Sequence, residues 1–304
     1  MLSLFALKSS AEAVKYYSEH DYYSQTGEQT DTSNWHGRGA VELGLSGTVD
    51  KDALDKLLQG KIAEQQLGVV RDGELQHRPG WDLTFSAPKS VSILALVGKD
   101  DRLIQAHNKA AHTALNYIEK HYLHTRIYQD EKLIKANTGS SIVAQFQHQV
   151  SRELDPQLHT HNLVINATKF DGKYKSIEPK AIYQHTLHGG VIYRNALAKD
   201  VTELGYNIEA KDKGLFEIKD LDPAIIKQFS KRREQVLEAA AEHGFTSSEG
   251  MDKATLYTRK SKQHASESEL KHSWQQELTP SQEQSISSVI EDSSKYKQPG
   301  IIIR

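Results

Sequence analysis

The chain has 304 residues, a length that accommodates one large domain with an appendage or two domains of similar size. Hydrophobic residues make up 37% of it, and no apolar run reaches the roughly 18 to 20 residues of a membrane span. The formal net charge is −2, so any nucleic-acid contact must use locally clustered basic residues. The sequence has no cysteine, which excludes disulfides and thiolate zinc sites.

The N-terminal residues predict a helix and no secretion signal. The apolar stretch within residues 1–14 is too short for the core of a signal peptide, so we expect a cytoplasmic protein. Ser9 and Glu12 have the spacing of a capping box, which predicts a helix over residues 9–20. Gly, Ser, Thr, Asn and Asp are frequent over residues 21–48, where we predict a long loop that drapes over a site.

Four tyrosines occur in this region as two adjacent pairs, Tyr16 with Tyr17 and Tyr22 with Tyr23. A tyrosine pair on an amphipathic helix is more often an interface or core element than a nucleophile. A phenolate that attacks a phosphodiester needs a metal ion to polarise the phosphate. The pairs therefore indicate catalysis only if the chain also holds a metal.

The next part of the chain predicts a helix over residues 50–64, followed by a strand-to-helix corner. Residues 81–86 alternate like a strand and lead into a helix with Ser86 as its cap and Pro88 in its first turn. Apolar residues at helical spacing then predict a helix over residues 101–122 that covers one face of a sheet.

Two alternating stretches, residues 140–150 and 158–170, predict an antiparallel hairpin. Downstream we predict a helical region over residues 179–205, a second hairpin over 205–218, and a helix over 223–244 that ends at its glycine.

Three histidines on the first hairpin form a candidate metal site. His159 and His161 stand two apart on a strand, so both imidazoles project from one face roughly 7 Å apart, while Thr160 points the other way. If the chain turns over within residues 151–157, His148 comes alongside the pair. Three neutral imidazoles bind a divalent ion and leave positions open for substrate oxygens, and by themselves they favour zinc, nickel or copper over magnesium.

The alternative, that the His-Thr-His pattern is a polar, solvated strand face, stays open on these residues alone. The other histidines, His107 among them, are scattered and are expected on helix surfaces or in loops. Asp82 lies with Thr84 and Ser86 on one face of its predicted strand. Its carboxylate there is either an ordinary surface group or one that orients a ligand histidine or accepts a tyrosine proton.

Long blocks of the chain resemble the N-terminal relaxase domain of TrwC/TraI-type conjugative relaxases, the MobF family of HUH endonucleases. They include SAEAVKYYSEHDYY (10–23), HRPGWDLTFSAPKSVSILAL (77–96), HQVSRELDPQLHTHNLVINAT (148–168) and TRKSKQH (258–264). The resemblance implies an α+β fold with a central antiparallel sheet flanked by helices, circularly permuted relative to replication-initiator endonucleases. The predicted hairpins and helices agree with such a fold.

The resemblance also implies an activity: site- and strand-specific nicking and rejoining of single-stranded DNA at an origin of transfer, through a 5′-phosphotyrosyl intermediate. It assigns the first nucleophile to Tyr16, accompanying tyrosines to Tyr17, Tyr22 and Tyr23, metal ligands to His148, His159 and His161, and the acid that orients a ligand histidine to Asp82. One accompanying tyrosine runs a second strand transfer in some members. Magnesium or manganese is the implied ion, in conflict with the ligand-softness argument for zinc or nickel.

DNA contact is expected at basic residues of the family-like blocks, namely Arg78, Lys89, Arg152, Lys260 and Lys262. Lys260 and Lys262 lie in a basic run that can close over single-stranded DNA. The alternative is that each is a solvated surface charge. Accessory relaxosome proteins and a coupling protein are the further partners that the resemblance implies.

The sequence predicts a relaxase domain over residues 1–276 and, over 277–304, a linker and the start of a truncated superfamily-1 helicase domain. The segment LTPSQ (278–282) resembles the opening of such helicases, and the sequence has no GxxxxGK[ST] motif for a P-loop. We therefore expect a piece of a longer relaxase-helicase, with a flexible polar tail as the alternative.

Three other functions stay open at this point. One is a hydrolase in which the ion activates water, and another is a DNA-binding module with structural histidines. The third is a replication initiator of the rolling-circle type.

Overall fold

The structure is a computed structural model, and it describes residues 1–18, 33–259 and 265–295. The strands are β1 (Leu2–Ala6), β2 (Ser33–His36), β3 (Lys61–Ile62), β4 (Gln65–Gln66), β5 (Val69–Arg71), β6 (Glu74–Gln76), β7 (Gly80–Ser86), β8 (His124–Gln129), β9 (Lys132–Asn137), β10 (Val143–Val150), β11 (Pro156–Ile165), β12 (Thr168–Phe170), β13 (Lys173–Lys175), β14 (Ile177–Glu178), β15 (Ile208–Lys211) and β16 (Leu215–Ile218). The helices are α1 (Ser10–Ser18), α2 (Arg38–Glu42), α3 (Lys51–Leu58), α4 (Lys89–Leu96), α5 (Asp101–Tyr122), α6 (Lys180–Gln184), α7 (Thr186–Glu203), α8 (Pro223–Gln228), α9 (Lys231–Glu242), α10 (Ser248–Tyr257), α11 (Glu267–Gln276) and α12 (Pro280–Lys295).

Five strands form a central antiparallel sheet in the order β1-β7-β11-β10-β2. The predicted hairpin is confirmed as β10 and β11, in which His148 lies opposite His159. On the other side of β11, His161 lies opposite Thr84 of β7. The α+β fold with a central antiparallel sheet is thus confirmed.

The two faces of this sheet are buried in separate cores because side chains alternate along each strand. One core packs Trp81, Leu83 and Phe85 of β7 against the long helices α5 and α7. The other packs Phe146 and Leu163 against α1 and α3. The histidines of the hairpin project from the second face, so α1 is packed on the same side of the sheet as they are.

The remaining strands form small antiparallel sheets at the periphery: β14-β8-β9, β12-β13, β15-β16, β3-β4 and β5-β6. The pair β15-β16 confirms the second predicted hairpin. The long helix predicted over residues 101–122 is confirmed as α5, which begins at an Asp100 side-chain cap.

The predicted long loop over residues 21–48 is wrong in its described part. Residues 33–36 form β2, which pairs with β10 and buries Trp35, and α2 follows. A strand gained through pairing with a distant partner is not visible in local composition. The helix predicted to residue 64 ends at Leu58, because Gly60 adopts a positive φ of 79° and the chain turns into β3.

Two further predicted helices are each divided in two. The region 179–205 contains α6 and α7, which meet at His185. The helix predicted over 223–244 is interrupted after α8, where Phe229 enters the core. The strand-to-helix corner is confirmed, but the residue at the N-cap is Pro88, not Ser86, and α4 has no side-chain cap.

The C-terminal helix α12 packs on the core through Ile286, Val289 and Ile290. Gly98 allows this approach, since a Cβ at that position would lie 2.6 Å from Cδ1 of Ile290. Arg102 also donates hydrogen bonds to Ser293 and Ser294 of α12. None of the described helices is both long and apolar enough to cross a membrane.

Candidate metal centre

The three histidines of the β10-β11 hairpin lie together. Their ring centroids are 5.3 Å apart for His148 and His159, 5.0 Å for His148 and His161, and 5.2 Å for His159 and His161. One nitrogen of each ring lies within 4.8 Å of the others. His148 is buried and the other two are half-buried, so the cluster is open on one side.

The orientation of His161 is set from the neighbouring strand. Its Nδ1 donates a hydrogen bond to Oδ2 of Asp82 at 2.7 Å, and Thr84 donates to Oδ1 of the same carboxylate at 3.0 Å. Asp82 is buried, and it reaches His161 because β7 pairs with β11. With the Nδ1 proton engaged, Nε2 of His161 is the nitrogen that carries the lone pair.

His159 is oriented by its own strand. Its Nδ1 donates to the carbonyl oxygen of Gln157 at 2.9 Å. The Gln157 side chain in turn donates to the carbonyl oxygen of Ala87 at 3.1 Å, which ties the start of β11 to the corner before α4. Nε2 of His159 is therefore also the nitrogen left for a ligand bond.

These residues fit a divalent metal ion. Metal-to-imidazole bonds of about 2.1 Å place ligand nitrogens within about 4.2 Å of one another. The three ring nitrogens already lie within 4.8 Å of one another, so small side-chain adjustments bring them to that spacing. Three protein ligands leave coordination positions for substrate oxygens, as in catalytic metal sites.

The back of the ligand strand holds a polar network that the sequence did not reveal. Thr160 points away from the metal-site face, and its hydroxyl lies 2.9 Å from Nε2 of His107, whose Nδ1 lies 2.7 Å from the hydroxyl of Tyr193. The surface position expected for His107 is wrong, since this side chain is fully buried. Burial, reinforced by the positive charge of the N-terminus, lowers the pKa of His107 to about 3, so the ring is neutral. The local sequence does carry a signal for this burial, because His107 lies four residues after Leu103 and three before Ala110, on the apolar face of α5.

The predicted nucleophile lies on α1, which contains Tyr16 and Tyr17 within Ser10–Ser18. Ala13 and Val14 of this helix are buried against the sheet face that carries the histidines. The side chains of Tyr16 and Tyr17 lie outside the described part of the chain, as do Tyr22, Tyr23, Lys260 and Lys262 entirely.

The three remaining predicted DNA contacts are in different surroundings. Arg78 is exposed, and its guanidinium lies 5.9 Å from the centre of the Trp81 ring, at a cavity of about 860 Å³. Arg152 is half-buried and lies close to Arg232. The pKa of Arg232 is lowered mainly by its own burial and further by the positive charge of Arg152. Lys89 points inward.

Lys89 donates a hydrogen bond from Nζ to the carbonyl oxygen of Pro156 at 2.9 Å. Burial lowers the pKa of Lys89 to about 8, against the opposing effect of Asp155 and Glu217. This ammonium group supports the turn beside the histidines.

Comparison with known proteins gives a consistent result. The family model of the TrwC relaxase matches residues 10–280. The multifunctional conjugation protein TraI of Escherichia coli (strain K12) is 38% identical over 289 residues, which are 91% of this chain and 16% of that protein. This chain thus spans about a sixth of the length of the curated relatives that it matches.

Solved structures of the conjugative relaxase TrwC with oriT DNA are also similar. The metal-bound complex has a TM-score of 0.83 at 35% identity, and the copper-bound complex 0.82 at 36%. A complex with a 27-mer that comprises the recognition hairpin and the cleavage site has 0.80 at 35%. Each comparison covers 91% of this chain and 97% of the other. The chain belongs to the TrwC relaxase family.

Proposed function

We propose that this chain cuts and rejoins one strand of DNA at a specific site in an origin of transfer, in a metal-dependent reaction that initiates conjugation. The observation that carries the proposal is the convergence of three imidazoles on the sheet face against which α1, the helix with Tyr16, is packed. The similarity to the conjugation protein TraI and to the relaxase TrwC in complex with oriT DNA supports the same activity.

The reaction is a transesterification. The hydroxyl oxygen of Tyr16 attacks the scissile phosphorus, and the bond from phosphorus to the 3′ oxygen breaks. The tyrosine loses one proton and the 3′ oxygen gains one, which leaves a 5′-phosphotyrosyl link and a free 3′ hydroxyl. Attack by a 3′ hydroxyl on the phosphotyrosine reverses these steps and closes the strand, so the cycle consumes no water.

His148, His159 and His161 hold the divalent ion in this proposal. A bound ion supplies Lewis-acid polarisation of the phosphate. We infer magnesium or manganese in the cell, as the family resemblance implies, with zinc or nickel binding in vitro because nitrogen ligands favour them. The copper-bound structure of TrwC supports a site of this kind that can hold a transition-metal ion.

Asp82 acts as a positioning residue in this scheme. Its carboxylate accepts hydrogen bonds from His161 and Thr84, and it is buried. A carboxylate engaged in this way holds the ligand ring in one tautomer and one orientation. The geometry supports this role better than that of the base that accepts the tyrosine proton.

Single-stranded DNA is the proposed substrate, with accessory relaxosome proteins and a coupling protein as further partners. The proposed DNA contacts are Arg78, Arg152, Lys260 and Lys262, and Lys89 supports the β10-β11 turn. A second strand transfer is assigned to one of the accompanying tyrosines, Tyr17, Tyr22 and Tyr23. We also propose residues 1–276 as the relaxase domain and 277–304 as the connection to a helicase domain, with α12 of this connection packed on the relaxase core. The relatives are about six times as long as the matched segment, which supports a relaxase segment that is part of a longer protein.

The test uses single-stranded DNA from the origin of transfer of the chain's own element, labelled at its 3′ end. The protein is incubated with it with and without EDTA, and the products are separated on a denaturing gel. We expect a covalent protein-DNA band that disappears with EDTA and in Tyr16→Phe. Tyr128→Phe is the matched control, because this tyrosine is 79% exposed and plays no part in the proposed site.

Other outcomes of the same gel would overturn parts of the proposal. Cleavage without a covalent band would indicate a hydrolase, and an adduct retained in Tyr16→Phe would move the nucleophile to another tyrosine. Binding without any cleavage of the cognate strand would leave a DNA-binding module.

A further inference from the structure

The turn between β10 and β11 connects the two strands that carry the histidines. It closes through hydrogen bonds from the Ser151 N–H to the carbonyl of Asp155 at 2.9 Å and from the Leu154 N–H to the carbonyl of Ser151 at 3.1 Å. Leu154 adopts a positive φ of 60°, a conformation that a leucine keeps only where surrounding contacts hold it. The turn therefore depends on what packs around it.

The strand ladder is irregular beside this turn. Its register shifts between His148 and Val150, so that Val150 pairs with Pro156. A bulge of this kind re-aims the side chains next to it. The position of His148 relative to His159 is thus set by the turn as well as by the ladder.

Three side chains remote in sequence bind the turn. Nε1 of Trp274 donates a hydrogen bond to the carbonyl oxygen of Leu154 at 2.7 Å. Lys89 donates to the carbonyl oxygen of Pro156, and Nζ of Lys231 lies 3.5 Å from Oδ1 of the buried Asp155. Each holds a different point of the same short segment.

Trp274 holds the residue with the strained backbone. It lies on α11, 120 residues beyond Leu154 in the chain, and only 2% of it is exposed. The large ring in a packed core has a defined position, so its N–H fixes the Leu154 carbonyl in space. A phenylalanine in its place keeps an aromatic ring in the core but removes the donor and leaves a small cavity.

We propose that Trp274 is a positioning residue for the metal centre, which holds the β10-β11 turn so that His148 meets His159 and His161. This inference rests on the proposed function, in which the three histidines bind the ion. In this proposal helix α11 stabilises the geometry of the metal centre through Trp274, although the helix contributes no metal ligand.

The test is calorimetric titration of Mn²⁺ and of Ni²⁺ into the metal-stripped 304-residue chain, without DNA. Substitutions of residues that hydrogen-bond to ligand histidines commonly weaken metal binding by about 10- to 100-fold, and for the more remote Trp274→Phe we expect a loss of about three- to tenfold. The matched control is Trp81→Phe, since this ring is equally buried but its indole nitrogen has no hydrogen-bond partner among the described residues. The control keeps wild-type metal affinity.

A second readout needs no metal. In the metal-free protein, Trp274→Phe speeds amide hydrogen exchange at the turn more than in the body of the sheet. Lys231→Met provides an independent variant with the same expected direction in both measurements.

Metal affinity of Trp274→Phe equal to wild type, or an equal loss in Trp81→Phe, would overturn the inference and leave the proposed function standing. The proposed function itself would fail if the wild-type chain binds the ions no better than His161→Ala does. The two failures are therefore distinct.

Discussion

Oδ2 of Asp82 lies 2.7 Å from Nδ1 of His161, across the pairing of β7 with β11. This contact joins residues that are 79 positions apart in the chain. It leaves Nε2 of His161 directed to the ligand site and makes Asp82 the best-defined support of the metal centre.

Asp82→Asn keeps the size of the side chain but removes its negative charge. We expect metal affinity to fall by about 10- to 100-fold, because a neutral amide no longer stabilises the Nδ1 proton of His161. Calorimetry with Mn²⁺ measures this fall. Nicking measured at saturating metal should recover most of its rate. A rate that stays near zero at saturation would instead point to Asp82 as a proton acceptor.

Metal binding by the histidines should stabilise the fold. An ion at 100 times its Kd adds about 2.7 kcal/mol to the free energy of unfolding, which a thermal melt detects as a raised Tm. His159→Ala should lose this increase and EDTA should abolish it in the wild type. His272→Ala, an exposed histidine on α11, should keep it. A full increase in His159→Ala would contradict the ligand set.

His107 should make the fold sensitive to acid. Its pKa is about 3 in the folded chain and about 6.5 when unfolded, so the unfolded state binds the extra proton between these values. Stability from this group is complete above pH 6.5 and falls by about 1.4 kcal/mol per pH unit as the pH drops below it. Urea unfolding from pH 7 to 5 should show a shallower loss in His107→Gln than in the wild type. Equal slopes would contradict the buried neutral ring.

DNA binding should weaken with salt despite the net charge of −2, because the contacts are local. We expect Arg78→Gln to lower the slope of log K against log salt by about 0.7, the contribution of one phosphate contact on a single strand. Fluorescence anisotropy with a labelled origin strand measures both slopes. Lys219→Gln, an exposed lysine, should keep the wild-type slope. Affinity independent of salt would exclude this mode of binding.

Helix α12 should contribute to the stability of the relaxase fold. Ile286 is buried against the core, and Ile286→Ala should lower the free energy of unfolding by about 2 to 4 kcal/mol. Urea denaturation measures this change. Leu187→Ala is the control, since that side chain is 85% exposed and its loss should cost little. An unchanged stability in Ile286→Ala would favour a flexible tail.

Local sequence patterns predicted the helices and strands whose own residues show a clear helical or alternating periodicity. The helical spacing of apolar residues located α5 to the residue, and strand alternation located β7 and the β10-β11 hairpin. The same reasoning missed β2, which exists because it pairs with β10. It also missed the break after α8, where the helix ends and Phe229 is buried in the core.

By itself, the sequence determined the chemistry available: three histidines with the alternation that brings them to one face, and tyrosine pairs in blocks that resemble a family. The family resemblance already pointed to Asp82 as a support for a ligand histidine, but only the tertiary structure decided which histidine it contacts and which other groups hold the site. Strand pairing brings Asp82 to His161, and packing of α11 brings Trp274 to the β10-β11 turn, whereas Gln157 supports His159 from within β11. Local periodicity reports which way a side chain faces, whereas its partner depends on the whole arrangement of elements around one core.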